Sequence, residues 1–194
     1  DLGDGVHVLL GLDQLELDVH RTRDGVLVIH HDPALPDGRK LAELDFAQLP
    51  PLPDGQQVPT LAQVAELARR RGAHLSVELK EEGYERAAAF ELASRVPMSQ
   101  VELISFSRKS IAEIEGFDPA IRTGLLEPRL PEWLRNSAFY PAALWVMDTL
   151  DWHPSLRAAA RVGADFVSVE HRMATREFID EAHERGMPVI AWTV

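Results

Sequence analysis

The chain has 194 residues, 45% of them hydrophobic and 26% charged, which is the size and composition of one globular domain with a core of its own. Its 20 Lys+Arg against 31 Asp+Glu give a formal net charge of −11, which argues against a nucleic-acid-binding surface and against attraction to anionic membranes. There is no cysteine, so disulfides, thiolate zinc sites and thiol nucleophiles are excluded, and no apolar run nears the roughly 18 residues of a membrane span.

The chain opens Asp1-Leu2-Gly3 without a signal-peptide pattern. A first strand is expected over 14–19, and Asp24-Gly25 forms a turn into a second over 26–30. The stretch 49–59 carries four prolines, Pro50, Pro51, Pro53 and Pro59, and reads as a loop. Thr60 with Gln63 is a capping box that opens a helix ending at Gly72. Then come a strand over 75–79, a helix over 84–95, a strand over 101–105, and a helix that Ser110 with Glu113 would cap, ending at Gly116. A strand over 121–126 follows. The apolar run 143–147 is too short to assign by period. A helix over 156–162, a strand over 165–169, a helix over 178–185 capped by Thr175, and a strand over 188–193 complete the order. Strands alternating with helices, at roughly 25 residues per unit, predict a (β/α)8 barrel, with a doubly wound open sheet as the alternative. Because the sequence stops in a strand-like run, residues 1–194 are expected to form a single domain incomplete at both ends.

Three strands carry charge where buried parallel strands are usually apolar. In Leu15-Glu16-Leu17-Asp18-Val19 the side chains alternate, so Glu16 and Asp18 share one face and the apolar residues the other. In Val77-Glu78-Leu79-Lys80, Glu78 and Lys80 share a face in the same way. The third, Val28-Ile29-His30-His31-Asp32-Pro33, places two histidines and an Asp where a strand runs out. Paired carboxylates inside a barrel repel each other and are costly to desolvate unless a cation compensates. Glu16, Asp18 and Glu78 offer three oxygen donors, a set that suits Mg²⁺ or Ca²⁺. A solvent-facing edge strand is the competing reading, which recurrence at three strand ends disfavours. His30 should face away from His31, His20 reads as a loop residue, and His171, Arg172 and Glu127 fall near a site rim. Trp133, Trp145 and Trp152 read as packing residues.

The run from Glu16 to Asp32, with Glu16-Leu17-Asp18-Val19, Thr22-Arg23-Asp24-Gly25 and His31-Asp32, resembles the signature of glycerophosphodiester phosphodiesterases. Further motifs resemble that family in order: Pro59-Thr60-Leu61, Glu78-Leu79-Lys80, Ser105-Phe106 and Trp192-Thr193-Val194. The resemblance spans Gly11 to Val194. It implies a (β/α)8 barrel that hydrolyses glycerophosphodiesters to glycerol 3-phosphate and an alcohol, with one divalent cation held by Glu16, Asp18 and Glu78. His31 is implied in general acid/base catalysis, Lys80 in steadying the phosphate, and Phe106 and Trp192 in lining the site near the glycerol or the leaving group. The chain lacks the family's opening His-Arg-Gly strand and its Glu-Asn-Thr helix start. His7 is not followed by Arg-Gly. The seven strands are therefore expected to be strands two to eight, with the first strand and last helix missing. Two alternatives stand beside this: a non-catalytic barrel that lost that strand, and a phospholipase-D-like enzyme acting on lysolipids. The partner expected is a small-molecule substrate, with no nucleic acid, no membrane anchor, and a cytoplasmic location.

Overall fold

The structure, a computed structural model, describes residues 14–52, 55–127, 138, 142 and 154–192. The run 143–147, Trp133, Trp145 and Trp152, and the terminal segments 1–13 and 193–194 lie outside the described residues.

Strands β1 (Gln14–Arg21), β2 (Leu27–Ile29), β3 (His74–Leu79), β4 (Val101–Ser105), β5 (Arg122–Leu126), β6 (Phe166–Glu170) and β7 (Val189–Trp192) form one sheet in the order β2-β1-β3-β4-β5-β6-β7. Helices α1 (Leu61–Arg71), α2 (Glu85–Ala93), α3 (Arg108–Phe117), α4 (Pro154–Val162) and α5 (Arg176–Glu184) lie between the strands in sequence. All pairings from β1 through β3 to β7 are parallel.

The second strand corrects the expected count. It pairs antiparallel with β1, with Val19 opposite Ile29 and Arg21 opposite Leu27, so six strands, not seven, belong to the parallel series. The cause is local. The link 22–26 is a tight turn in which Thr22 Oγ1 donates to Asp24 Oδ1 at 2.6 Å and Gly25 takes a φ of 88°. A parallel return would need a crossover of about a dozen residues or more. The stretch that follows β2 holds two short 3-10 turns, Leu41–Glu43 and Phe46–Gln48. It gathers a small apolar cluster of its own from Val28, Leu35, Leu41, Leu49 and Val58.

The helix signals read in the sequence mostly act as expected. Gln63 N donates to Thr60 Oγ1 at 3.2 Å and Thr60 N to Gln63 Oε1 at 2.9 Å, and α1 ends at Gly72 in the left-handed conformation. Thr175 caps α5. The cap of α3 is Ser107, whose hydroxyl accepts from Ser110 N. Ser110 itself is buried one turn inside the helix, donating to Glu85 Oε1 at 2.7 Å.

Alternation along the strands divides the sheet into two faces. On one, Leu15, Leu17, Val19, Leu75, Val77, Leu79 and Leu103 pack with Leu61, Val64, Ala88, Leu92 and Ile114 from the helices. Val167 and Val169 continue that layer with Leu156 and Phe178. The opposite face looks into a cavity of about 650 Å³ whose lining includes Glu16 of β1 and Trp192 of β7. Residues of β1 and β7, five places apart in the sheet order, share one cavity, so the sheet curls. Helices cover its outer face among the described residues. This is the arrangement of a (β/α)8 barrel, not of a doubly wound sheet with helices on both faces. Gly124 is required on the inner face: a Cβ there would sit 2.3 Å from the Phe166 ring. No helix among the described residues is long and apolar enough to cross a membrane.

Candidate active site

Register builds the site. The parallel pairing of β1 with β3 sets Glu16 opposite Ser76 and Asp18 opposite Glu78, so two inward-facing carboxylates on adjacent strands meet near the C-terminal end of the sheet. Glu16, Asp18 and Glu78 each present an oxygen within 4.8 Å of the others. Lys80 continues β3, its amide donating to the carbonyl of Val19 at 3.2 Å. Its Nζ lies 2.8 Å from Asp18 Oδ1 and 2.8 Å from Glu78 Oε1.

The electrostatics follow from burial. Glu78 is 5% exposed, and burial pushes its carboxyl above the usual range. Lys80 only partly opposes that push, and the Asp18 carboxylate adds to it. Burial also pulls the Lys80 ammonium down, but Asp18 and Glu78 more than offset this and hold it above its usual value. Glu78 Oε1 is buried, with the Lys80 ammonium against it. One ammonium beside three carboxylates leaves the cluster net negative. The donors are hard oxygens at ligand spacing, one of them buried. These residues fit a hard divalent cation such as Mg²⁺ or Ca²⁺.

The remaining residues singled out in the sequence line the same cavity: His31, Phe106 and Trp192. His31 follows the β2 hairpin, its side chain 66% exposed and Nδ1 3.0 Å from Asp32 Oδ1. Phe106 follows β4 and Trp192 ends β7. Their rings meet edge to face with centroids 6.4 Å apart. His30, as expected from alternation, turns away from the cavity. It is buried, with Nδ1 2.7 Å from the Asp32 carbonyl.

The chain matches the family model for the glycerophosphoryl diester phosphodiesterase family over residues 8–194. The chain belongs to this family. Among solved structures, it is similar to a glycerophosphodiester phosphodiesterase of Parabacteroides distasonis, at 20% identity and a TM-score of 0.72, covering 92% of this chain and 70% of that one. It is also similar to a phosphodiesterase of Oleispira antarctica determined in complex with the product sn-glycerol-3-phosphate, at 23% identity and TM-score 0.74, covering 95% and 74%. A glycerophosphodiester phosphodiesterase of Agrobacterium tumefaciens gives 20% identity and TM-score 0.69, covering 94% and 75%. These likenesses establish the shared barrel fold. No curated protein sequence matches the chain.

Two neighbours of the candidate site escaped the sequence reading. His20, expected in a loop, is a buried residue of β1, and its ring contacts Glu81. Tyr84, just before α2, donates its hydroxyl to the Val19 carbonyl at 2.6 Å. Glu81 lies 61 residues from His20 in the chain, and no local pattern signals such a pair. Of the rim candidates, His171 and Arg172 are exposed and outside the cavity lining, and Glu127 is buried at the end of β5.

Proposed function

We propose that this chain hydrolyses glycerophosphodiesters to glycerol 3-phosphate and an alcohol, water being consumed as the P–O bond to the alcohol breaks. The observation that carries this reading is the convergence of Glu16, Asp18, Glu78, Lys80 and His31 on one cavity in a member of this family. Glu16, Asp18 and Glu78 hold one divalent cation, Mg²⁺ or Ca²⁺. When bound, that cation supplies positive charge where negative charge grows on the phosphate oxygens. Lys80 adds a second positive charge beside it. His31, open to the cavity, moves a proton to or from the reacting oxygen, a task suited to imidazole near neutral pH. Phe106 and Trp192 pack against the glycerol or the leaving alcohol.

The test is release of glycerol 3-phosphate from glycerophosphocholine with Mg²⁺ or Ca²⁺, with EDTA, and in His31→Ala. The expected result is turnover that EDTA abolishes and that His31→Ala slows by roughly 10²–10⁴-fold. A folded protein that turns over neither glycerophosphocholine nor its relatives with either metal overturns the assignment. Release of free choline from lysophosphatidylcholine alone, with the phosphate left on the glycerol, would favour the lysolipid enzyme instead.

A further inference from the structure

We propose that His20 is a positioning residue for His31, holding its main chain through a buried link to Glu81; this rests on His31 acting as proposed above. His20 is 2% exposed and stands at the C-terminal end of β1. Its ring spans two acceptors. Nδ1 contacts Glu81 Oε1, and Nε2 lies 3.3 Å from the carbonyl of His31. A buried ring facing oxygens on two different loops is fixed in one orientation, and donating to both at once takes a proton on each ring nitrogen.

The Glu81 end of the link is anchored. The Glu81 amide donates to the Tyr84 hydroxyl at 3.3 Å. That hydroxyl has one proton to give, and the 2.6 Å contact with the Val19 carbonyl is much shorter than the 3.2 Å contact with Glu81 Oε2, so Tyr84 donates to β1. Tyr84 is itself 2% exposed, with the Arg21 guanidinium over its ring. Glu81, Tyr84 and the end of β1 therefore form one rigid assembly.

The His31 end needs such an anchor. The His31 side chain is largely exposed, with Asp32 beside it, so its aim is set by its main chain. On one flank the amide of His30 donates to the Asp18 carbonyl at 3.0 Å, and on the other the His30 ring holds the Asp32 carbonyl. The carbonyl between them is the one His20 holds. The segment thus has a backbone anchor at His30, His31 and Asp32 in turn, and the middle one belongs to the residue in question. Misplacing an acid/base group by about 1 Å can cost up to ~10²-fold in rate.

The experiment is a double-mutant cycle on the full chain, with a p-nitrophenyl glycerophosphodiester as substrate so that slow variants remain measurable. His20→Ala should lower kcat by roughly 10- to 10²-fold with KM changed less than about twofold. The double variant His20→Ala/His31→Ala should be no slower than His31→Ala alone, because His20 has nothing left to position. His20→Gln, whose amide can still donate to the His31 carbonyl, should recover part of the rate. Glu81→Gln, at a half-exposed side chain and so safe for folding, should give a smaller kcat loss that also vanishes in the His31→Ala background. Additive losses in the double variant, or a folded His20→Ala at the parent rate, overturn the proposal. Should His20→Ala not fold, the Gln variants decide by the same non-additivity. His31→Ala at the parent rate overturns the catalytic reading of His31 and this inference with it. A slow His31→Ala beside an unaffected His20→Ala overturns this inference alone.

Discussion

The cavity has two unlike walls. The wall built by β1, β3 and the hairpin after β1 is ionic, with Glu16, Asp18, Glu78, Lys80 and His31. The wall built by β4 to β7 is mainly apolar, with Ile104, Phe106, Leu126, Phe166, Ile190 and Trp192, and its polar members Glu102 and Ser168 are buried. Both come from the same inward alternation of the same kind of strand, and both rest on the same helix-covered outer layer. The difference teaches how the proposed chemistry divides: charge that grows on a phosphate is met on one side, and the organic remainder of a diester on the other. An ionic cluster costs stability where it is buried, as the raised Glu78 carboxyl shows, whereas the buried part of the other wall, Ile104, Leu126 and Phe166, stabilises by its burial.

The largest effect should come from the ionic wall. Glu78→Gln is expected to lower kcat/KM by on the order of 10³-fold, the several kcal/mol that metal assistance supplies. It should also abolish divalent-cation binding measured by calorimetry. Unchanged cation binding in Glu78→Gln would break the comparison, because the charge would then not be serving a cation. Next comes the apolar wall. Trp192→Ala should raise KM about tenfold, from the lost burial of one aromatic ring, with kcat little changed. A kcat loss as large as that of Glu78→Gln would show that the two walls do not divide the work.

A smaller effect concerns how the apolar wall is built. Gly124→Ala forces a methyl against the Phe166 ring at 2.3 Å, and should destabilise the fold by about 1–3 kcal/mol in urea unfolding. Smallest is the outer layer, which serves as the control. Thr60→Ala removes the α1 capping box and should cost about 1 kcal/mol in stability with kcat unchanged.

Much of this was legible in the sequence because it is local. Alternating Leu and acidic residues in β1 announce both a buried face and a charged one, and the Thr60–Gln63 capping box sets the start of α1. The misreading of β2 has a local cause, and the others have tertiary ones. Three buried apolar residues in β2 look like an interior parallel strand, although the Asp24-Gly25 turn beside them already demands an antiparallel return. Ser107 and Ser110 are three residues apart and equally good caps by pattern. Only the packing of Ser110 against Glu85 decides between them. His20 meets Glu81 across 61 residues of chain, a contact that no spacing rule reaches.

The segment that follows β2 keeps its own small apolar nucleus, from Val28 and Leu35 to Val58, apart from the layer between sheet and helices. It is also pinned to the turn after β1: Arg23 N donates to the Leu44 carbonyl at 2.9 Å and Phe46 N to Asp24 Oδ1 at 3.0 Å. The nucleus therefore braces, from outside the helical layer, the hairpin that leads to His31.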